Sequence, residues 1–174
     1  MSPLTATFLV QPPSEIPPSH PWTPSPVLHV RFTAPFWHRS NLTMTASLTT
    51  LFGQTVKANV PTLGPYFGVP KTPPAIYGPT EWNAYFCWED LSCGENGSYR
   101  LRVEVEVPGF GRDVVESRVV LVWGMGGLGV SERLMCPSAD ELKALKRLEE
   151  EVGKGPFRTV KYKRTGGPSW WLSL

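Results

Sequence analysis

Residues 124–129, Gly124-Met125-Gly126-Gly127-Leu128-Gly129, match the spacing G-x-G-x-x-G directly after the apolar run VVLVW. In a dinucleotide-binding fold such glycines let a pyrophosphate approach a helix N-terminus. The surroundings argue against that chemistry. Pro137 falls eight residues after Gly129, where a crossover helix would have to run, and the 45 residues that remain are too few for a doubly wound sheet. The motif reads instead as a glycine-rich loop or bulge. Metal binding needs ligands clustered at fixed spacing. Cys87 and Cys93 have no matching second pair, and His20, His29 and His38 stand nine residues apart in a proline-rich region. No Gly-x-Ser-x-Gly elbow is present, and Glu89-Asp90 read as acids facing solvent at a strand end. The expectation is a protein that is not an enzyme, with no cofactor, metal or small-molecule substrate.

The residues better suited to function are cations and tryptophans. Residues 152–174 hold Lys154, Arg158, Lys161, Lys163 and Arg164 and no acid, a local charge of +5. The whole-chain charge of +2 leaves −3 for residues 1–151. Within KGPFRTVKYKR (154–164), Phe157 and Tyr162 interleave with the cations. Such a stripe can neutralise DNA phosphates, with an affinity that falls steeply with salt. A solvated edge strand guarded by lysines has the same composition, so both readings stand. Of the tryptophans, Trp88 and Trp123 are expected in the core, and Trp22, Trp37, Trp170 and Trp171 are candidate protein-interface anchors. Folding back of Trp170 and Trp171 onto the body is the alternative.

The elements that must position these groups are mostly strands. Fifteen of the 19 prolines lie in the first 79 residues, which rules out long helices there. The apolar run 8–10 precedes a proline-rich traverse (12–26) that reads as a strap across a sheet. Strands are expected over 27–32, with Leu28, Val30 and Phe32 inward, and over 42–49, with 55–60 pairing back as a hairpin. The stretch 61–81, with six prolines and three glycines, predicts a long loop. Further strands are expected at 84–88, at 99–107 with Tyr99, Leu101, Val103, Val105 and Val107 inward, at 114–123, and at 157–164. One helix is expected over 138–152, where Ser138 and Glu141 form a capping box and Leu142, Leu145, Leu148 and Val152 make the apolar stripe. The pattern predicts a single mostly β domain spanning 1–174, an immunoglobulin-like sandwich with one C-terminal α-helix. The opening MSPLTATFLVQPP predicts no secretion leader, no span of ~20 apolar residues predicts membrane crossing, and the three cysteines read as reduced thiols. The sequons at Asn41 and Asn96 then read as chance.

The order of these pieces resembles the velvet domain of fungal developmental regulators. The residues that carry the resemblance are FLVQPP (8–13), PSPVLHVRF (24–32), LTMTASL (42–48) and YFCWEDLSCGENGSYRLRVEVEV (85–107), followed by a terminal helix and basic strand. The 85–107 block is the specific part. The resemblance implies a Rel-type sandwich and dimerisation with itself or another velvet-like protein. It also implies action on promoter DNA in the nucleus, with residence in the cytoplasm too, in control of sporulation and secondary metabolism. One departure stands out. The family carries a basic stretch with a Cys-Gly element after its Gln-Pro opening, whereas 14–26 here is SEIPPSHPWTPSP, without Lys or Arg. The DNA contacts expected in this chain are therefore those of 154–164. The alternative is an immunoglobulin-like scaffold that binds only proteins, through the Pro/Trp-rich half.

The reading of the glycine motif is checked by thermal shift. The protein should show no stabilisation by nicotinamide, flavin or adenine nucleotides, and saturable stabilisation by any of them would reverse it.

Overall fold

The structure, a computed structural model, describes residues 4–56, 60–74, 78–124 and 138–152, together with the strand pairing of 161–163 and 171–173. Strands dominate. β1 (Thr5–Val10), β3 (Val27–Ala34), β6 (Leu63–Phe67) and β7 (Thr80–Cys87) form a four-stranded sheet in the order β1-β3-β7-β6. A second sheet runs β2 (Glu15–Ile16), β10 (Val120–Val122), β8 (Gly97–Val107), β4 (Thr43–Thr50), β5 (Thr55–Val56), with β9 (Gly111–Glu116) also paired to β8. All pairings are antiparallel among these except β2 with β10.

The period-two pattern sets which faces meet. Tyr99, Leu101, Val103, Val105 and Val107 of β8 are all buried, as their alternation predicts. They share one apolar cluster with Leu28, Val30 and Phe32 of β3 and Trp82, Ala84 and Phe86 of β7. The two sheets are thus joined through a common core. Each inward valine or leucine contributes about 1.5–3 kcal/mol by leaving water.

The strap at 12–26 does more than cross a sheet. Ile16 and Trp22 are wholly buried, and backbone bonds tie Ser19 to Cys93 (2.8 Å) and Trp22 to Leu91 (2.7 Å). Its Glu15–Ile16 segment closes the β10 edge of the larger sheet. Proline-rich sequence cannot supply a ladder of donors, so the strap's few N–H groups go to these particular partners.

Three expectations are corrected. Residues 61–81 are not one loop, because Leu63–Phe67 pairs with β7 as an edge strand. Pro65 is tolerated there because an edge strand needs donors on one side only. Gly64 has φ +116°, and a Cβ on it would lie 2.6 Å from the Tyr85 carbonyl oxygen, so only glycine fits. The expected strand 114–123 is broken at Ser117. The Ser117 hydroxyl accepts from Leu101 N–H (3.0 Å) and donates to the Arg118 carbonyl (2.8 Å), and β9 and β10 lie end to end along the same edge of β8. Trp123 is 40% exposed rather than in the core, its indole N–H donating to Glu15 (3.4 Å). It follows the last inward residue of a three-residue strand, so alternation turns it outward.

The helix α1 (Ala139–Val152) forms as expected and covers the outer face of the four-stranded sheet. The capping box is closed: Ser138 N–H donates to Glu141 Oε2 (2.7 Å) and Glu141 N–H to Ser138 Oγ (3.2 Å). Leu145 and Leu148 are buried against Val10, Val27, Tyr85 and Cys87, while Leu142 at the stripe's edge is 39% exposed. Each end of the helix is pinned by a carboxylate. Glu141 accepts from Gln11 N–H (2.8 Å), and Glu151 accepts from the Tyr85 hydroxyl (2.7 Å). Burial and that carboxylate push the Tyr85 phenol well above its usual range, and burial pushes the Cys87 thiol up to about 12. Both thus stay neutral across the physiological range. Unfolded chain would release the Cys87 proton near 9 and the Tyr85 proton near 10, whereas the folded chain holds both longer. The contribution of these two groups to stability is therefore full below pH ~9 and falls as pH rises from there toward 12.

Two measurements check this architecture. Val103→Ala and Val105→Ala should each lower unfolding free energy by ~1–3 kcal/mol in denaturant titration. A circular dichroism spectrum dominated by helix would contradict the fold. Raising pH above ~9 should lower the melting temperature of the wild type, and Cys87→Ala should delay the onset of that fall.

Candidate functional site

Where the cations sit decides which of them can meet a ligand. Those of β8 and β9 are already matched. Arg100 pairs with Glu116 (3.0 Å), Arg102 with Glu104 (3.2 Å) and Glu116 (3.6 Å), and Arg112 with Glu104 (2.8 Å). The Arg112 and Arg102 guanidinium groups hold the Glu104 carboxyl below its usual range. These exposed pairs add little stability, but they leave the outer face of that sheet without excess charge. Arg118 is also engaged, its Nε–H donating to the Pro12 carbonyl (2.5 Å) and its backbone N–H to Gln11 (2.9 Å).

The C-terminal stripe differs because no acid accompanies it in sequence. Strand β11 (Lys161–Lys163) pairs antiparallel with β12 (Trp171–Ser173), with Lys161 opposite Ser173, Tyr162 opposite Leu172, and Lys163 opposite Trp171. This two-stranded sheet puts one predicted cation, Lys163, opposite a predicted interface tryptophan, Trp171, and carries a second, Lys161, on the same strand. Lys154, Arg158, Arg164 and Trp170 lie outside the described residues, as does the remainder of the expected 157–164 strand and the 125–129 part of the glycine motif.

Of the N-terminal tryptophans, the structure separates two that the sequence grouped. Trp22 is 0% exposed in the common core and is not a surface anchor. The strap folds inward at that point because Trp22 N–H reaches the Leu91 carbonyl, drawing the ring under the sheet. Trp37 is 49% exposed and Phe36 47% exposed, both on a 3-10 helix (Phe36–Asn41) that links β3 to β4.

That short helix assembles a group the sequence pattern did not single out. The Arg39 guanidinium carbon lies 5.3 Å from the Phe36 ring centroid, 4.9 Å from that of Phe67 and 5.1 Å from that of Trp82. Trp82 is fixed by its indole N–H, which donates to the Ala34 carbonyl (3.0 Å), and Phe67 meets it edge-on at 6.5 Å. His38 packs on Phe110 at 4.8 Å and shares a hydrogen bond with Asn41 (3.2 Å). The signal present in the sequence is the run Phe36-Trp37-His38-Arg39, three rings and a cation in four residues. Phe67 and Phe110 are distant in sequence and only the sheet pairing brings them in. The other two histidines have local roles: His29 stacks on Tyr85 at 4.9 Å and bonds Asn83 at 2.7 Å, and His20 bonds the Pro18 carbonyl at 3.1 Å. Cys87 and Cys93 are buried free thiols.

No family model, curated protein or solved structure matches the chain. Two features of the chain offer binding chemistry: a basic, aromatic two-stranded segment near the C-terminal end, and a ring-bound arginine beside exposed rings at the β3–β4 connection.

The two tryptophans give the check. Trp22→Ala should cost about 3–5 kcal/mol of stability, as removal of a fully buried large ring does. Trp37→Ala should leave stability within about 1 kcal/mol in the same denaturant titration. Equal costs would contradict this division.

Proposed function

We propose that the chain is a velvet-like, immunoglobulin-type regulatory domain that dimerises with itself or a related protein and binds promoter DNA in the nucleus, in control of development and secondary metabolism. The observation that carries the reading is the acid-free run 152–174, whose Lys161–Lys163 strand is paired with Trp171–Ser173 while the cations of β8 and β9 are neutralised by their own glutamates. Phosphate contact needs several cations close together, and the run 154–164 holds five with no acid in its sequence. The two-sheet core with a helix on its outer face supports the sandwich part of the reading, and the 85–107 block supports the family. Residence in both nucleus and cytoplasm follows from the same family reading.

A second reading, a scaffold that binds proteins without DNA, is favoured by the half-exposed Phe36 and Trp37. Aromatic anchors of this kind are where interface energy concentrates.

The two are separated by one triple variant. Changing Lys161, Lys163 and Arg164 to Ala should weaken duplex binding on every sequence alike. It should also flatten the slope of log affinity against log salt by roughly one unit for each phosphate no longer neutralised. Absence of duplex binding at ~0.1 M salt, or binding unchanged by the substitutions, would leave only the scaffold reading.

A further inference from the structure

Arg39 is held in an unusual way for a surface arginine. Three ring faces surround its guanidinium at 4.9–5.3 Å, each a favourable cation–π position. Its side-chain N–H groups donate to no described residue, and no carboxylate pairs with it among the described residues. The three rings hold the guanidinium in place at the β3–β4 connection. A planar guanidinium confined in this way, with no carboxylate partner among the described residues, suits two parallel hydrogen bonds to a carboxylate or phosphate.

We propose that this end of the molecule is a docking site for a peptide segment of a partner protein that presents an Asp or Glu side chain beside an apolar residue. The carboxylate would take the Arg39 fork, and the apolar neighbour would lie against Phe36 and Trp37, which are 47% and 49% exposed. Charge complementarity selects the acid, because Arg39 is a cation with no counter-ion among the described residues. The surroundings select a single carboxylate over a nucleic acid backbone. A phosphate chain requires several cations in a row. Here the strand ends that flank the 3-10 helix carry exposed Glu81, opposite Thr33, and exposed Glu106, opposite Thr43, which would repel a polyanion. This deepens the scaffold reading, resting on it for the existence of a protein partner, and is independent of the C-terminal stripe.

The test is selection of a random dodecapeptide library on the full chain, followed by titration of the synthetic winners. The expected winners carry Asp or Glu next to an aromatic or aliphatic residue. Their affinity should fall on the order of tenfold or more with Arg39→Gln, and equally when the peptide's acid is changed to its amide. Arg39→Lys, which keeps the charge but not the fork, should fall nearly as far. In the wild type, the Arg39 Nε–H resonance should move on peptide addition, a readout that needs no variant and survives if Arg39→Gln folds poorly. Winners without an acid, or winners indifferent to Arg39→Gln, would overturn the proposal. If such winners still lose affinity with Trp37→Ala, the scaffold reading stands and the carboxylate site alone fails. Movement of the same resonance by the oligonucleotide dT12, or by raising protein concentration alone, would assign the site to nucleic acid or to a second copy and overturn it equally.

Discussion

Strand β8 is the constraint on which the rest depends. Its eleven residues pair with β4 along one edge and with β9 and β10 along the other, so three segments take their register from it. Its inward side chains, from Tyr99 to Val107, form the floor on which the smaller sheet packs. Its outward side chains, Arg100, Arg102 and Glu104, form the ion pairs that keep the opposite face neutral. A one-residue slip would exchange those two sets, placing charges in the core and valines in water. The alternation in this one strand therefore specifies both the core and the electrostatics of the larger sheet.

The smaller sheet is organised differently, with both faces covered. One face meets the β8 side of the core and the other carries α1. The helix is seated by Leu145 and Leu148 and tied at its two ends through Glu141 and Glu151. Burial of both its faces leaves the smaller sheet no open face for a partner. Among the described residues, the β3–β4 connection with its ring-bound arginine lies away from these covered faces. The strap enforces the same economy, since it buries Trp22 and closes an edge that would otherwise be open.

The sequence was most informative where a side-chain period extended over a whole element. The alternation of 99–107 and of 27–32 indicated the inward faces correctly, and Ser138 with Glu141 located the helix start to the residue. It was least informative where proline and glycine dominate. Composition alone reads 61–81 as a loop, yet an edge strand can hold Pro65 and a Gly64 with positive φ, so Leu63–Phe67 forms. Composition likewise could not sort the tryptophans, because burial of Trp22 depends on which backbone groups the strap engages and exposure of Trp123 on where β10 ends. The Arg39 cluster was half legible. Phe36-Trp37-His38-Arg39 is visible as a run, but Phe67, Trp82 and Phe110 reach it only through the pairing of strands far apart in sequence.

The proposed DNA contact falls to the basic C-terminal segment, since the cations of β8 and β9 are paired with their own glutamates. Backbone NMR of the full chain, titrated with duplex DNA at ~0.1 M salt, tests it residue by residue. Amide resonances within 154–173 should move, and those of β3, β4, β7 and β8 should stay in place. Shifts centred on the 12–26 strap or the 36–41 helix, or no shift at saturating duplex, would contradict it.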